Sequence, residues 1–312
     1  MKKPLIIITG PTASGKSNIS VSLAKKINGE IISADSMQVY KHMDIGTAKI
    51  TKEEMQGVTH HLIDVLDPRD DFNVSLFKEY ANNAIEDILS RNRIPIIAGG
   101  TGFYIQSVLY DTQFTEHETD THLRNDLFNY AEKYGNEALH DKLKALDPVY
   151  AENVHINNVK RVVRAIEYCT LTGQSFSEHN ETEHNRTSPY NYAYFVLDMD
   201  RELLYDRINI RVDRMFDDGL LDEVRELKKL GLNKDMVSMK GLGYKEVLDY
   251  LDGIYTLDEA INIIKRETRH FAKRQLTWFR RENDTIWLKK TAENDDLLLE
   301  SMIQTINEKG II

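Results

Sequence analysis

The chain has 312 residues, of which 41% are hydrophobic, and its 50 acidic and 40 basic side chains give a net charge of −10 at pH 7. This size fits one large or two modest globular domains. No apolar run approaches the length of a membrane-spanning helix and no signal-peptide pattern is present, so we expect a cytoplasmic protein that does not enter a membrane. The single cysteine, Cys169, excludes an intramolecular disulfide and a cysteine-based zinc site.

The first motif along the chain is a phosphate-binding loop. Apolar residues 5–8 lead into 10–17, whose sequence GPTASGKS matches G-x-x-x-x-G-K-[ST], and apolar residues at a spacing of four follow within 19–27. In this pattern backbone N–H groups and a helix N-terminus surround phosphate, the lysine contacts terminal phosphate oxygens and the serine hydroxyl binds Mg²⁺. The predicted phosphate site comprises Gly10, Pro11, Thr12, Ala13, Ser14, Gly15, Lys16 and Ser17, with Ser17 as the metal ligand.

Two further segments end predicted strands. Asp35 follows the predicted strand 30–34, and in an open parallel sheet this places its carboxylate at the same edge as the phosphate-binding loop. It is a candidate magnesium-associated acid, general base or helix cap. The third strand ends in the glycine-rich segment 99–102, where many P-loop enzymes carry an acidic metal ligand. Here the glycines permit close approach of the backbone to a ligand, and Thr101 offers a hydroxyl.

Apolar and amphipathic segments alternate along the chain and predict an α/β fold. Strands are predicted at 5–9, 30–34, 93–98 and 192–198, and helices near 16–27, 75–91, 159–171, 205–230, 258–281 and 295–308. We expect a P-loop NTPase-like parallel sheet flanked by helices, formed by 1–112 plus 191–312 with C-terminal helices. The residues 113–190 hold six of the ten histidines and many charges, and we interpret them as a mostly helical insertion domain.

The acidic net charge argues against a polyanionic partner, but the charge is unevenly distributed. Residues 262–290 carry nine Lys or Arg side chains against three acids. On a helix, one face is basic and the opposite face is apolar; the basic residues are Arg266, Arg269, Lys273 and Arg280 and the apolar ones Ile264, Phe271 and Phe279. A solvated charged face is one explanation. The aromatic pair 278–279 favours RNA binding, because flipped bases stack on such side chains.

Motifs in a fixed order resemble those of the bacterial tRNA dimethylallyltransferases over nearly the whole chain. The first four are GPTASGKS at 10–17, SADSMQVY at 33–40, MDIGTAK at 43–49 and GGTGFY at 99–104. Four later segments agree: NVKRVVRAIE at 158–167, RINIRVDRM at 207–215, SMKGLGYKE at 238–246 and AKRQLTWFR at 272–280. This ordered set is far more specific than the phosphate-binding loop alone.

The resemblance implies transfer of a dimethylallyl group from dimethylallyl diphosphate to N6 of adenosine 37 in tRNAs reading codons that begin with U. It implies that Asp35 accepts the N6 proton, that Thr101 holds the amine or the departing oxygen, and that Arg211 contacts the diphosphate. The implied cofactor is Mg²⁺, and the implied partner is the anticodon stem-loop of tRNA, bound by the insertion and the basic helix. A monomer is expected, since no apolar heptad seam is visible.

The resemblance also implies a set of tRNA contacts spread over both parts of the chain. These are Asp35, Ser36, Met37, Gln38, Thr101, Arg124, Val159, Lys160, Arg161, Val162, Val163, Lys240, Tyr244, Lys245, Lys273, Arg274, Trp278 and Arg280. The loop 67–75 resembles a segment that closes over the site, with Phe72 and Val74 offering apolar surface to the prenyl group. Alternatively, Phe72 is a core aromatic residue that caps the following helix.

Three other functions use some of the same residues. A P-loop small-molecule kinase would use Lys16, Ser17 and Asp35, but the missing acid near Thr101 and the basic helix count against it. An isopentenyltransferase acting on free adenine nucleotides would need the early motifs without the basic helix or the long insertion. An RNA-binding module with a vestigial nucleotide site is the non-enzymatic alternative.

Overall fold

A computed structural model describes residues 2–113, 121–184, 186–291 and 293–312. Residues 114–120, which belong to the predicted insertion, lie outside the described residues. The chain divides into two compact units, one formed by 1–109 with 189–312 and the other by 110–188. In the described part of the chain, every helix is too short or too polar to span a bilayer.

The first unit is built on a parallel sheet. Within the described residues this sheet has six strands in the order β3-β2-β4-β1-β5-β6. Their bounds are β1 Lys3–Thr9, β2 Gly29–Ser33, β3 His60–His61, β4 Ile94–Gly99, β5 Tyr190–Asp198 and β6 Thr285–Lys289. The predicted fold class, a P-loop NTPase-like parallel sheet flanked by helices, is confirmed.

In the first unit some helices pack on the sheet and others pack on neighbouring helices, and those of the second unit pack on one another. In the first unit they are α1 Lys16–Ile27, α2 Lys52–Met55, α3 Val74–Ser90 and α4 Gly102–Leu109, and, after the second unit, α10 Arg201–Asp217, α11 Leu220–Lys229, α12 Tyr244–Leu251, α13 Leu257–Phe279 and α14 Asp295–Glu308. In the second unit they are α5 Thr121–Tyr134, α6 Asn136–Leu146, α7 Pro148–Asn153, α8 Val159–Thr172 and α9 Phe176–His184. A 3-10 turn, Ser238–Lys240, precedes α12.

The core of the first unit lies on both faces of β1. Leu5, Ile6, Ile7 and Ile8 are all fully buried, as expected for a central parallel strand whose two faces are covered. Ile6 and Ile8 belong to one apolar cluster with residues of α1 and α14. The strand that precedes the phosphate-binding loop therefore pairs with a strand on each side and packs against α1 and α14.

The predicted helix 205–230 is two helices. Gly219 separates α10 from α11 with φ of +102°, a conformation that is strained for residues with a Cβ. α10 and α11 are therefore separate helices, interrupted at residues 218–219.

Candidate active site

The carboxyl ends of β1, β2 and β4 bring the phosphate-binding loop, Asp35 and Thr101 to one edge of the sheet. β1 pairs with β4 in a register that sets Thr9 beside Gly99, and β4 also pairs with β2. A Cβ on Gly99 would lie 2.3 Å from the Ala34 carbonyl oxygen, so glycine is needed for this approach. The Thr101 N–H then donates to that same oxygen at 3.1 Å, which fixes Thr101 next to Asp35.

The phosphate-binding loop is held in shape by its own lysine. The Lys16 Nζ donates to the carbonyl oxygens of Gly10 at 3.0 Å and Pro11 at 2.8 Å, and Gly15 enters α1 with φ of +85°. The Ser14 Oγ is buried and has no hydrogen-bond partner among the described residues. An unsatisfied buried hydroxyl beside a ring of backbone amides is what an anion site offers before its anion binds.

Two cations share this cradle. Arg211 on α10 lies close enough to Lys16 that burial, and then the Arg211 guanidinium, lower the pKa of Lys16 from 10.5 to about 7, while Asp35 opposes the shift. Burial lowers the pKa of Arg211 as well, against the attraction of Asp35. A bound diphosphate would supply negative charge beside both side chains and would favour the charged form of Lys16.

A cavity of about 350 Å³ opens beside the loop, a size typical of small-molecule sites. Asp35 and Thr101 line it, together with Thr12 of the loop and Arg211. The opposite wall is apolar and comes from α10 and α13; its residues are Ile208, Val212, Met215, Ile264 and Phe271. The cavity therefore joins an anion site at one end to a carboxylate, a hydroxyl and an apolar surface.

Asp35 caps a turn and not a helix, which removes one of its three predicted roles. Its Oδ1 accepts from the Met37 N–H at 2.9 Å, and residues 36–39 form a bend and a turn. The other oxygen carries no hydrogen bond within the described residues. Asp35 is partly exposed and also borders a smaller pocket of about 60 Å³ with Lys16, Ser17, Ser33 and Gln38.

Gln275 on α13 joins the phosphate-binding loop to the loop after β4, a role that the sequence analysis missed. Its Oε1 accepts from the Thr12 N–H at 2.8 Å, and its Nε2 donates to the Gly100 carbonyl oxygen at 3.0 Å. Only 6% of the residue is exposed. A Cβ on Gly100 would lie 2.2 Å from Nε2, so the second glycine of this loop leaves room for the amide.

Glu223 on α11 anchors the far end of the cavity, and it too was missed. Its carboxylate accepts from three successive backbone N–H groups, those of residues 44 and 45 at 2.8 Å and 46 at 3.1 Å. It also accepts from the Tyr244 hydroxyl at 2.7 Å. Tyr244 is fully buried, and a Cβ on Gly46 would lie 2.6 Å from its ring. This packing fixes the cavity-lining residues 46 and 47.

Comparison with known proteins identifies the family. The IPP transferase family model matches residues 38–282, and the isopentenyl transferase family model matches 3–69. The chain belongs to the IPP transferase family. It is 57% identical over 311 residues to a tRNA dimethylallyltransferase from Lachnoclostridium phytofermentans, covering 99% of both chains. The resemblance drawn from the sequence motifs is confirmed.

Solved members of the family have the same fold. A tRNA isopentenylpyrophosphate transferase from Bacillus halodurans superimposes with a TM-score of 0.75 at 45% identity, covering 99% of this chain and 98% of that one. One from Staphylococcus epidermidis gives 0.73 at 42% identity, covering 98% and 100%. A eukaryotic dimethylallyltransferase described as acting on tRNA gives 0.85 at 31% identity, covering 98% of this chain and 79% of that one.

In this IPP transferase, three of the predicted RNA contacts are interior residues, and the structure corrects them. Tyr244, Val162 and Val163 are at most 1% exposed. Tyr244 lies beneath Gly46, and the two valines belong to the apolar face of α8 that forms the core of the second unit. Their side chains pack inside the protein in this structure.

The remaining predicted contacts lie at the cavity, on its rim or on the second unit. Lys240 and Arg274 are exposed and line the cavity, as do the half-buried Ser36 and Met37. Gln38 uses its amide internally, donating to the carbonyl oxygens of residues 47 and 48 at 3.4 and 3.3 Å. Exposed basic residues are Lys160, Arg161, Lys245, Lys273 and Arg280; Val159 is half-buried, and Arg124 pairs with Glu167 at 2.6 Å.

The predicted basic face of α13 is partly used in packing. Arg269 donates to the Asn209 Oδ1 at 2.6 Å and lies over the Tyr205 ring. Trp278 is half-buried, and a Cβ on Gly102 would lie 2.2 Å from its Cδ1, so the indole packs α13 onto α4. Neither side chain is a freely presented RNA ligand.

Phe72 lies in the core of this IPP transferase. It is 5% exposed and makes edge-to-face contacts with Tyr40 and Tyr104, with ring centroids 6.4 and 5.7 Å apart. It does not contribute to the walls of either cavity among the described residues. The structure therefore favours the interpretation of Phe72 as a core aromatic residue that precedes α3 over its interpretation as part of the prenyl site.

Proposed function

We propose that this protein transfers a dimethylallyl group from dimethylallyl diphosphate to N6 of adenosine 37 in tRNAs that read codons beginning with U. One observation carries the proposal. Thr12 of the phosphate-binding loop and Arg211 line one cavity together with Asp35, Thr101 and an apolar wall. A diphosphate, an allyl group and an amine are the three chemical parts that such a site can accept. The family relatives described above act on tRNA, which supports the choice of acceptor.

The cradle stabilises the leaving group. As the allylic C–O bond breaks, its electron pair goes to the diphosphate, whose growing negative charge faces Lys16, Arg211 and the loop amides. The same cations lie close together with lowered pKa values in the ligand-free protein. Their electrostatic interaction with the diphosphate therefore strengthens as the reaction proceeds.

The acceptor end supplies the base. The adenine N6 lone pair is delocalised into the ring, so N6 is a poor nucleophile until its proton is removed as the new C–N bond forms. The free oxygen of Asp35 takes that proton. Thr101, held by its N–H on the Ala34 carbonyl oxygen, orients the amine or the departing oxygen through its hydroxyl. Adenine must leave the stacked anticodon loop to reach this position.

The residues of the cradle fit Mg²⁺. Ser17 is exposed at the start of α1 and borders the small pocket with Ser33 and Asp35, a set of hard oxygen donors. Because the described residues hold no cluster of three His, Cys, Asp or Glu side chains, the Ser17 hydroxyl and the substrate diphosphate would hold the ion. When bound, it would neutralise part of the leaving-group charge.

The test is a single-product assay with parallel acceptors. The protein is incubated with Mg²⁺, dimethylallyl diphosphate and unmodified tRNA, and the nucleosides are identified by mass. We expect prenylated adenosine from this tRNA and none from the same tRNA with guanosine at position 37. AMP and ADP serve as free acceptors.

Other outcomes would replace the proposal. Prenylated AMP or ADP would assign the protein to the transferases that act on free nucleotides. Phosphate transfer from ATP without any prenylated product would assign it to the kinases. Replacing Asp217, an exposed carboxylate at the end of α10, by Asn provides a matched control for the Asp35 variant described below.

A further inference from the structure

Gln275 lies where a third phosphate would need a hydrogen-bond donor. A P-loop binds successive phosphates through successive backbone N–H groups, so each added phosphate requires further donors. The Thr12 N–H at the front of the loop is already taken by the Gln275 Oε1 at 2.8 Å. Both residues line the main cavity, so this donor lies at the edge of the ligand space and is already bonded to Gln275.

The amide of Gln275 has no alternative position. Its Nε2 donates to the Gly100 carbonyl oxygen, and the close approach at Gly100 leaves no space behind it. Three residues further along α13, Trp278 packs on Gly102 in the same manner, which fixes the helix against the loop after β4. Two hydrogen bonds and close packing therefore fix the Gln275 side chain in the cavity wall, so an incoming ligand would not displace it as it would a surface side chain.

We infer that Gln275 makes the cradle specific for a diphosphate ester over a triphosphate. By accepting from the Thr12 N–H, it removes the donor that the third phosphate would use, and its carbonyl oxygen repels that phosphate. The same bond satisfies an N–H that would otherwise lie unpaired beside the apolar allyl group. The inference rests on the proposed function, since it assumes that an allyl carbon occupies the space next to the diphosphate.

The experiment measures binding of inorganic diphosphate and inorganic tripolyphosphate by calorimetry at fixed free Mg²⁺. We expect the wild-type protein to bind diphosphate about tenfold or more tightly, although tripolyphosphate carries more charge. In Gln275→Ala, which frees the Thr12 N–H, we expect the preference to fall about tenfold, because a hydrogen bond to a charged group is restored for the longer anion. In Gln275→Glu, whose carboxylate still accepts from Thr12, the preference should rise.

Gln304→Ala on α14 removes an exposed amide and should leave the preference unchanged. If Gln275→Ala does not fold, as judged by circular dichroism, Gln275→Glu alone decides the question. The inference is overturned if the wild-type protein binds tripolyphosphate as tightly as diphosphate, or if the ratio is the same in the folded Gln275 variants. These binding measurements require neither tRNA nor prenyl transfer, so a failed tRNA assay would refute the proposed function and leave this ratio to be judged separately.

Discussion

The two ends of the cavity differ in charge and in how far their polar groups are hydrogen-bonded within the protein. The diphosphate end concentrates the cations Lys16 and Arg211, both with lowered pKa values. The acceptor end is satisfied internally: Asp35 accepts from the Met37 N–H, and Glu223 accepts from three loop amides and the Tyr244 hydroxyl. The diphosphate end carries excess positive charge, whereas polar groups at the acceptor end already have hydrogen-bond partners within the protein.

This difference assigns separate tasks to the two ends. Cations that are largely removed from water and only partly balanced by Asp35 reduce folding stability. A bound anion would recover that free energy, so we expect electrostatic interactions to dominate binding at the diphosphate end. A preassembled acceptor end keeps its base in position, so that little reorganisation is needed when adenine arrives. Substitutions at the first end should change stability and donor binding, whereas those at the second should change the rate and acceptor binding.

The largest effect should come from the base. We expect Asp35→Asn to lower kcat by about 10²- to 10⁴-fold, the usual range for general-base assistance. The asparagine Oδ1 still accepts from the Met37 N–H, so the turn is kept and the thermal unfolding midpoint should not move. Single-turnover rates with saturating tRNA and donor check this, with Asp217→Asn as the control. A loss below tenfold would mean that another group accepts the proton.

The aromatic cluster behind the acceptor end tests whether that end depends on its packing. Phe72 joins Tyr40, five residues after Asp35, to Tyr104, three residues after Thr101. We expect Phe72→Ala to reduce the free energy of unfolding by about 3–5 kcal/mol, measured by urea denaturation, because a large core side chain is lost. Phe72→Leu should leave KM for dimethylallyl diphosphate unchanged. A raised KM in that variant would indicate that Phe72 contacts the prenyl group.

The donor end could be predicted from the sequence because its signals are local. The loop 10–17 follows an apolar strand and opens a helix, and the rule that ligands lie beyond the carboxyl ends of parallel strands placed Asp35 and Thr101 beside it. The structure brings all three to one edge of the sheet. The four predicted strands are present, with ends that differ by up to two residues.

The features that hold the site together could not be predicted in this way. Gln275 bonds to a residue 263 positions away and Glu223 to one 179 positions away, and no local pattern marks such partners. The family resemblance implied that Tyr244 contacts RNA, yet its side chain is buried and its hydroxyl donates to Glu223. The strand β6 has only five residues and is separated from the basic helix by the short segment 280–284, so its signal is weak.

Removing the charge of Lys16 should stabilise the protein. Its pKa in the folded protein is about 7 against 10.5 in the unfolded chain, so below pH 7 the buried ammonium opposes folding, and the penalty declines as the pH rises from 7 to 10.5. We expect Lys16→Met to raise the free energy of unfolding by about 1–4 kcal/mol at pH 6, and by much less at pH 9.5. The same variant should lose diphosphate binding.

Urea denaturation at the two pH values and diphosphate calorimetry measure both effects of Lys16→Met. Lys26→Met, which neutralises an exposed lysine on the same helix, is the matched control and should change stability little at either pH. An equal gain at pH 6 and pH 9.5 would attribute the stabilisation to packing of the methionine. Lys16→Met also removes the hydrogen bonds to the Gly10 and Pro11 carbonyl oxygens, a loss common to both pH values. The result that would refute an electrostatic penalty is therefore a stability change that is no more favourable at pH 6 than at pH 9.5.

The smallest effect should be at Glu223, and it separates the two ends most sharply. In Glu223→Gln, hydrogen bonds to a carboxylate become weaker bonds to a neutral amide, and its NH₂ group opposes one of the loop N–H groups. Residues 46 and 47 then lose part of their anchor, so we expect KM for tRNA to rise about 3- to 10-fold. KM for dimethylallyl diphosphate should not change, because Glu223 bonds to residues 44–46 and Tyr244 and not to the phosphate-binding loop. Glu226→Gln, which neutralises an exposed carboxylate ion-paired with Lys229 on the same helix, should leave both constants unchanged. If both constants rose together in Glu223→Gln, the two ends would be mechanically coupled, and the acceptor end would not be an independent preassembled site.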